Sequence, residues 1–168
     1  MIQNIILLIV SLTGGIFDWT TRKIPNWLTF GTLAFMLLFN TIYLRSEILN
    51  SLLGFLVGLA LLFIPYLLGL MGAGDVKLLG AIGSIVGFKK IVLIFLYSSI
   101  CGLFLGIVWL LFLPNRLKFL ITTGQVLPAV DKKQKLPYGI AIFLGTFIYI
   151  MFGTNNFLKE ISILHIWQ

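Results

Sequence analysis

Two aspartates stand beside long apolar segments, where a carboxylate is costly. Asp75 lies in the stretch Gly72-Ala73-Gly74-Asp75-Val76-Lys77, between one apolar run and the next, and Asp18 follows the first apolar run of the chain. Burying a carboxylate at membrane depth costs free energy, so an aspartate in such a place is by default a candidate functional residue. The pair therefore predicts acid/base chemistry.

Two carboxylates within hydrogen-bond reach cannot both ionise easily, so the pair holds one proton between them. The ionised member can take a proton from water while its partner protonates or polarises a carbonyl, which hydrolyses a peptide without a metal or a nucleophilic side chain. We name Asp18 and Asp75 as candidate catalytic residues and leave the acid and the base unassigned. The flanking Gly72 and Gly74 would allow a turn and the close approach of a substrate backbone.

Structural roles also account for both aspartates at this point. A helix that begins near Asp75 would make that residue an ordinary N-cap. Asp18 would then be a polar flank that pairs with Arg22 or Lys23. The spacing of the residues alone leaves both interpretations open.

The composition defines the elements that must position these residues. Of the 168 residues, 60% are hydrophobic and 10% are charged, and the mean hydropathy is +1.09. Soluble domains carry about 25% charged residues. We therefore predict an all-α, polytopic membrane protein with about six spanning helices of roughly 20 residues each, folded as one domain over residues 1–168.

Six apolar segments are separated by short connections and one long one. The fourth and the sixth are short for a full span and are expected to tilt or to extend into flanking residues. The N-terminus lacks the basic region of a cleaved signal peptide, so the first segment is kept as a helix. The segments are Ile2 to Phe17, Trp27 to Leu44, Ile48 to Met71, Val76 to Gly87, Ile91 to Leu113 and Pro137 to Phe152.

The basic residues predict the orientation in the membrane, because short loops rich in Lys and Arg stay in the cytoplasm. With the N-terminus outside, eight of the 12 basic residues lie inside, most of them in the long connection Pro114 to Leu136. Asp18 and Asp75 then face the cytoplasm.

The net charge of +7 is dispersed between apolar segments, which favours contact with lipid headgroups over binding of nucleic acid.

Three pairs of glycines stand four residues apart: Gly54 and Gly58, Gly83 and Gly87, Gly102 and Gly106. Such pairs let helix backbones approach closely in lipid, and we expect packing within the bundle, with a homodimer face as the alternative.

No metal or other cofactor is expected. The single cysteine, Cys101, lies in an apolar run, and with the single histidine, His165, it cannot form a four-ligand zinc site.

Three stretches carry a family resemblance. In chain order they are Asp18-Trp19-Thr20-Thr21-Arg22-Lys23-Ile24-Pro25-Asn26, Gly72-Ala73-Gly74-Asp75-Val76-Lys77-Leu78-Leu79-Gly80-Ala81-Ile82-Gly83 and Leu136-Pro137-Tyr138-Gly139-Ile140-Ala141. Together they resemble the type IV prepilin peptidases, which are membrane aspartyl proteases of the GxGD type. One such motif alone is weak evidence, whereas three in order are specific.

The resemblance implies a peptidase that removes the short basic leader from pilin-like precursors at the cytoplasmic face of the inner membrane. Asp18 and Asp75 correspond to the catalytic pair. Lys77 would hold the motif or the substrate, or would simply extend to the membrane surface. Pro25 and Asn26 would shape the entry into the second helix. The remaining supporting positions are Gly72, Gly74, Pro137, Tyr138 and Gly139.

The departures from the family pattern narrow the expectation. Larger members carry two Cys-x-x-Cys pairs in a zinc-binding insertion and also methylate the new N-terminus, whereas this chain has one cysteine. The compact form resembles the CpaA/TadV branch, which processes Flp pilins, and an archaeal preflagellin-type peptidase is a near alternative. Outside the family, a small ion- or proton-coupled transporter and a non-catalytic scaffold are the competing classes.

Overall fold

The chain forms a bundle of α-helices in the computed structural model, which describes residues 2–43, 48–68, 71–111 and 138–153. Six α-helices and no strand occur in those ranges, so the predicted all-α fold is confirmed. They are α1 (Ile2–Thr21), α2 (Asn26–Tyr43), α3 (Ile48–Leu67), α4 (Ala73–Val86), α5 (Phe88–Leu111) and α6 (Tyr138–Ile148), and α6 continues into a π-helical turn at Tyr149–Gly153.

Three helices are long and apolar enough to cross a membrane: Gln3–Thr21, Ile48–Leu67 and Phe88–Val108. The segments Asn26–Ile42 and Tyr138–Phe152 are shorter apolar helices. Many large apolar side chains on these helices point away from the bundle; Ile42 and Leu103, for example, are 73% and 70% exposed. Outer surfaces of this kind are typical of helices that contact lipid.

Helix α4 is the inner helix of the bundle. It contacts α1, α2, α3, α5 and α6, and ten of its 14 residues are buried. At about 1.5 Å per residue it is roughly 21 Å long, which is shorter than the hydrocarbon core of about 30 Å. The neighbouring helices enclose it, and protein-enclosed backbone is tolerated at a depth where lipid-exposed helix ends are not.

Glycines bring the backbones of α3 and α4 into direct contact. A Cβ atom at Gly54 would overlap the carbonyl oxygen of Gly83, and a Cβ atom at Gly58 would stand 2.6 Å from the carbonyl oxygen of Leu79. The internal packing predicted from these glycines is therefore confirmed. A Cβ atom at Gly106, by contrast, would meet no heavy atom of the described residues within 4 Å.

Gly87 ends α4 and starts α5. Its φ of +83° lies in the left-handed region, which glycine adopts without a steric penalty. Its N–H donates to the Gly83 carbonyl at 2.8 Å. The side chain of Asn50, from α3, accepts a hydrogen bond from the N–H of Phe88 at 3.2 Å. A single residue therefore connects α4 to α5, and α4 ends after 14 residues.

Several helix ends differ from the predicted ones, and two of these differences change the position of an aspartate within its helix. Helix α1 continues to Thr21 instead of ending near Phe17, so Asp18 lies within its last turn. Helix α4 begins at Ala73, so Asp75 is its third residue and not its N-cap. Apolar patterning shows where a helix contacts lipid, whereas backbone hydrogen bonding continues into the polar residues beyond it.

Several predicted features lie outside the described residues. They include the long basic connection, Pro137, His165 and the basic residues Arg45 and Lys159. The predicted orientation in the membrane depends in part on these residues and stays a prediction.

The contact between α3 and α4 can be tested with one methyl group. In Gly54→Ala the new Cβ overlaps the Gly83 backbone, and we expect a loss of about 1–3 kcal/mol of stability from overpacking. Gly31→Ala is the matched control, because beyond its chain neighbours and the backbone of its own helix no heavy atom of the described residues lies within 4 Å of its Cβ position. Thermal unfolding in detergent measures both. Equal melting temperatures for the two variants would contradict the packing described here.

Candidate active site

Asp18 is held by the first turn of another helix. The residue is 8% exposed, and its Oδ2 accepts a hydrogen bond of 2.8 Å from the backbone N–H of Gly139, the second residue of α6. The first N–H groups of a helix have no partner within the helix, and its N-terminus carries partial positive charge. The start of α6 therefore supplies both a donor and a favourable field for a carboxylate.

Glycines make that contact sterically feasible. A Cβ atom at Gly139 would stand 2.7 Å from the Cβ of Asp18, which leaves no room for a side chain. One turn earlier in α1, a Cβ atom at Gly15 would stand 3.3 Å from the Gly139 carbonyl oxygen. Helices α1 and α6 therefore approach closely just where the carboxylate reaches the N–H group.

Asp75 is held by the start of its own helix. It is 5% exposed, and its Oδ2 accepts a hydrogen bond of 3.1 Å from the backbone N–H of Gly72, the N-cap of α4. A side chain at the third helical position that reaches back to the N-cap N–H is one half of a capping box. The N-cap interpretation of Asp75 is therefore wrong in position, although the carboxylate does cap the helix.

Contacts one helical turn away place the two aspartates at the same level. Gly14 contacts Leu78, and Ile24, just after α1, contacts Gly74, so residue numbers rise along α1 as they fall along α4 and the two helices are antiparallel. A Cβ atom at Gly14, one turn before Asp18, would stand 2.5 Å from a side-chain carbon of Leu78, which is one turn after Asp75. Asp18 and Asp75 thus lie at the same end of the bundle, on helices that touch.

Tyr138 connects α6 to the second aspartate. Its side chain is buried, and its hydroxyl is hydrogen-bonded to Ser99 of α5 and interacts electrostatically with Asp75. The Ser99 hydroxyl donates to the Phe95 carbonyl at 2.8 Å. Since the next residue, Gly139, binds Asp18, the start of α6 lies at the same end of the bundle as the aspartates.

The segment after Asp18 packs on the segment around Asp75. The buried Ile24 faces Gly74, where a Cβ atom would stand 3.2 Å from that of Ile24. The Lys77 ammonium donates to Asn26 Oδ1 at 3.0 Å and lies 5.8 Å from the centroid of the Phe30 ring. Lys77 therefore contacts the start of α2, and these contacts join two of the three sequence motifs.

The glycines beside Asp75 accommodate atoms of the protein itself. Gly74 is covered by Ile24, and a Cβ atom at Gly72 would stand 3.3 Å from Oδ2 of Asp75. The sequence predicts that both glycines leave space for a substrate backbone. In the structure, Gly74 instead provides the surface on which the turn before Pro25 packs.

Arg22 has the only positive φ among the described residues other than glycine, at 54°. Its N–H donates to the Asp18 carbonyl at 3.1 Å, and its charge interacts with the Asp18 carboxylate. A non-glycine residue in the left-handed region is strained by about 1 kcal/mol or more. The Arg22 charge therefore acts on Asp18 in addition to the bond from Gly139, while a direct ion pair between the two side chains stays a prediction.

Some residues of the site were missed by the sequence analysis. They are Gly14 and Gly15, which let α4 and α6 approach α1, Ile24, which covers Gly74, and Ser99, which holds Tyr138. The adjacent glycines inside an apolar helix were an available signal, because glycine is unfavourable there unless something packs against it. Nothing in the sequence marks Ser99.

Within the described ranges no three His, Cys, Asp or Glu side chains are grouped to hold a metal ion.

Fold and site together define a helical membrane protein with two buried aspartates at one end of its bundle. Residues 5–107 match the type IV leader peptidase family, and the chain belongs to this family of peptidases. The matched range includes both Asp18 and Asp75 and ends before α6. Neither the curated proteins nor the solved structures contain a significant match to the chain.

The bond between α6 and Asp18 predicts a strong effect of Gly139→Ala. The methyl group would collide with Asp18, so we expect the carboxylate to leave the N–H group and peptidase activity to fall. Gly106→Ala is the matched control, because it adds the same methyl group where no heavy atom of the described residues lies within 4 Å. Peptidase activity at equal membrane levels is the measurement, and an active Gly139→Ala protein would contradict the arrangement.

The contact between Lys77 and Asn26 predicts coupled effects. Lys77→Met and Asn26→Ala should each lower the free energy of unfolding, and the double variant should lose less than the sum of the two. A coupling on the order of 0.5–1 kcal/mol is expected for one hydrogen bond of this kind. A double-mutant cycle in detergent measures it. Strict additivity would show that the two side chains do not interact.

Proposed function

We propose that this protein is an aspartic endopeptidase that cleaves the basic leader from pilin-like precursors, with Asp18 and Asp75 as its catalytic pair. The proposal includes a single peptidase domain in the inner membrane and an active site at the cytoplasmic face. Precursors of the Flp type are the favoured substrates. The observation that carries the proposal is the pair of buried carboxylates on touching helices, each bound by an N–H group at a helix start.

Burial and backbone bonding suit the pair to general acid/base catalysis. In the proposed mechanism one carboxylate takes a proton from the attacking water while the other, protonated, polarises the scissile carbonyl. The N–H of Gly139 fixes Oδ2 of Asp18, so Oδ1 is the oxygen that exchanges a proton. The protons belong to the pair as a whole, and either aspartate can serve as the base.

The geometry also suits a substrate that lies in the membrane. A pilin-like precursor has a short basic leader followed by one apolar helix. That helix would lie along the lipid-facing side of the bundle, and the scissile bond would meet the aspartates at the end of the bundle. Among the described residues Asp18 and Asp75 are the only acidic side chains, so they are the anionic groups of that part of the chain that a basic leader would meet.

Substitution of each aspartate by asparagine tests the mechanism. Asparagine keeps the shape and can still accept the hydrogen bond from Gly139 or Gly72, so the fold should persist. We expect Asp18→Asn and Asp75→Asn each to lower cleavage of a co-expressed precursor by on the order of 10²–10⁴-fold. Asp131→Asn, at the only other aspartate in the sequence, is the matched control and should cleave like the unaltered enzyme.

The outcomes separate the competing classes. Persistent cleavage in either variant, at matched protein levels, would rule out a mechanism that needs both carboxylates. Ion flux through the unaltered protein, with no cleavage of any precursor, would instead favour a transporter. If neither substitution changed the result of any chemical assay, a non-catalytic scaffold would be favoured.

A further inference from the structure

A cavity of about 310 Å³ lies next to the candidate active site. It is bordered by helices α3 and α5, by Met71 just before α4, and by Tyr138 at the start of α6. Its apolar and aromatic lining includes Leu62, Pro65, Met71, Phe95, Leu103 and Tyr138. A volume of this order lies at the small end of the range for ligand pockets and has room for a large aliphatic or aromatic side chain.

The cavity lies close to Asp75, although neither aspartate lines it. Tyr138 lines it, and the hydroxyl of the same residue interacts electrostatically with Asp75. Met71, another lining residue, directly precedes Gly72, whose N–H binds the Asp75 carboxylate. A substrate side chain bound in the cavity would therefore belong to a residue close in sequence to the peptide bond held at the aspartates.

The lining suits an apolar group that arrives from the lipid. No charged side chain is among the described residues that line the cavity, and Leu103 is 70% exposed on the outer face of α5. Ser99 is polar, but its hydroxyl already donates to the Phe95 carbonyl and is hydrogen-bonded to Tyr138. The wall at Tyr138 thus belongs to the active site, and the wall at Leu103 faces the membrane.

We infer that this cavity is a specificity subsite that receives one large apolar side chain of the substrate's own membrane helix, the one nearest the scissile bond. The inference rests on the proposed function, in which an apolar helix follows the basic leader directly. A substrate helix that lies against α5 places its first apolar side chains at the Leu103 side of the cavity while the scissile bond is at the aspartates. Seating that side chain fixes which peptide bond is cut.

The test pairs an enzyme variant with a substrate variant. Leu103→Trp should fill the cavity from its lipid side, and Leu96→Trp, seven residues earlier on the same outward stripe of α5, adds the same bulk away from the lining. Each enzyme is given two precursors that differ only in the residue just after the scissile bond, which is leucine in one and alanine in the other. We expect Leu103→Trp to lower the preference for the large residue by on the order of tenfold, and Leu96→Trp to leave it unchanged.

A second measurement does not depend on activity. A benzophenone amino acid at position 103, in an Asp75→Asn background, should cross-link to the apolar residues just after the scissile bond. Cross-linking to lipid alone, or an unchanged preference in Leu103→Trp with cleavage intact, would overturn the subsite. Failure of the unaltered enzyme to cleave any precursor would instead contradict the proposed function, so the two failures are distinguishable.

Discussion

A carboxylate inside an apolar bundle needs hydrogen-bond donors, and in this protein the starts of helices provide them. Oδ2 of Asp18 is bound by the second residue of α6, and Oδ2 of Asp75 is bound by the N-cap of α4. Hydrogen bonds to charged groups contribute about 1.5–3 kcal/mol each, and the partial positive charge at a helix start adds to this. Both helix starts must therefore lie at the same end of the bundle, and the length and packing of the helices meet this requirement.

The short inner helix and its glycines serve that requirement. Because α4 is only 14 residues long and is enclosed by other helices, its start can lie within the protein instead of in lipid. Close approach of α3 through Gly54, and of α1 through Gly14, packs α4 without large side chains. Gly139 does the same for α6 against Asp18. The carboxylates are thus positioned by backbone N–H groups on closely packed helices.

The sequence predicted the fold class, because long hydrophobic runs are local signals. It also singled out the two aspartates as isolated charges, and the structure buries both, while their catalytic role stays a prediction. It misplaced the helix ends at Asp18 and Asp75, since hydropathy reports contact with lipid and not the extent of backbone hydrogen bonding. The bond from Gly139 to Asp18 joins residues 121 positions apart, and no local pattern encodes such a pairing. The cavity beside Tyr138 was likewise invisible, because it depends on how three helices meet.

The central claim is that Asp18 and Asp75 act together on one peptide bond. The most direct test is a structure of the protein bound to a precursor-derived peptide in which a hydroxyethylene group replaces the scissile amide. Its hydroxyl mimics the tetrahedral intermediate, which the site should bind more tightly than the substrate. We predict that this hydroxyl lies within hydrogen-bond distance of both carboxylates. A bound peptide whose hydroxyl contacts only one aspartate, or neither, would contradict the account.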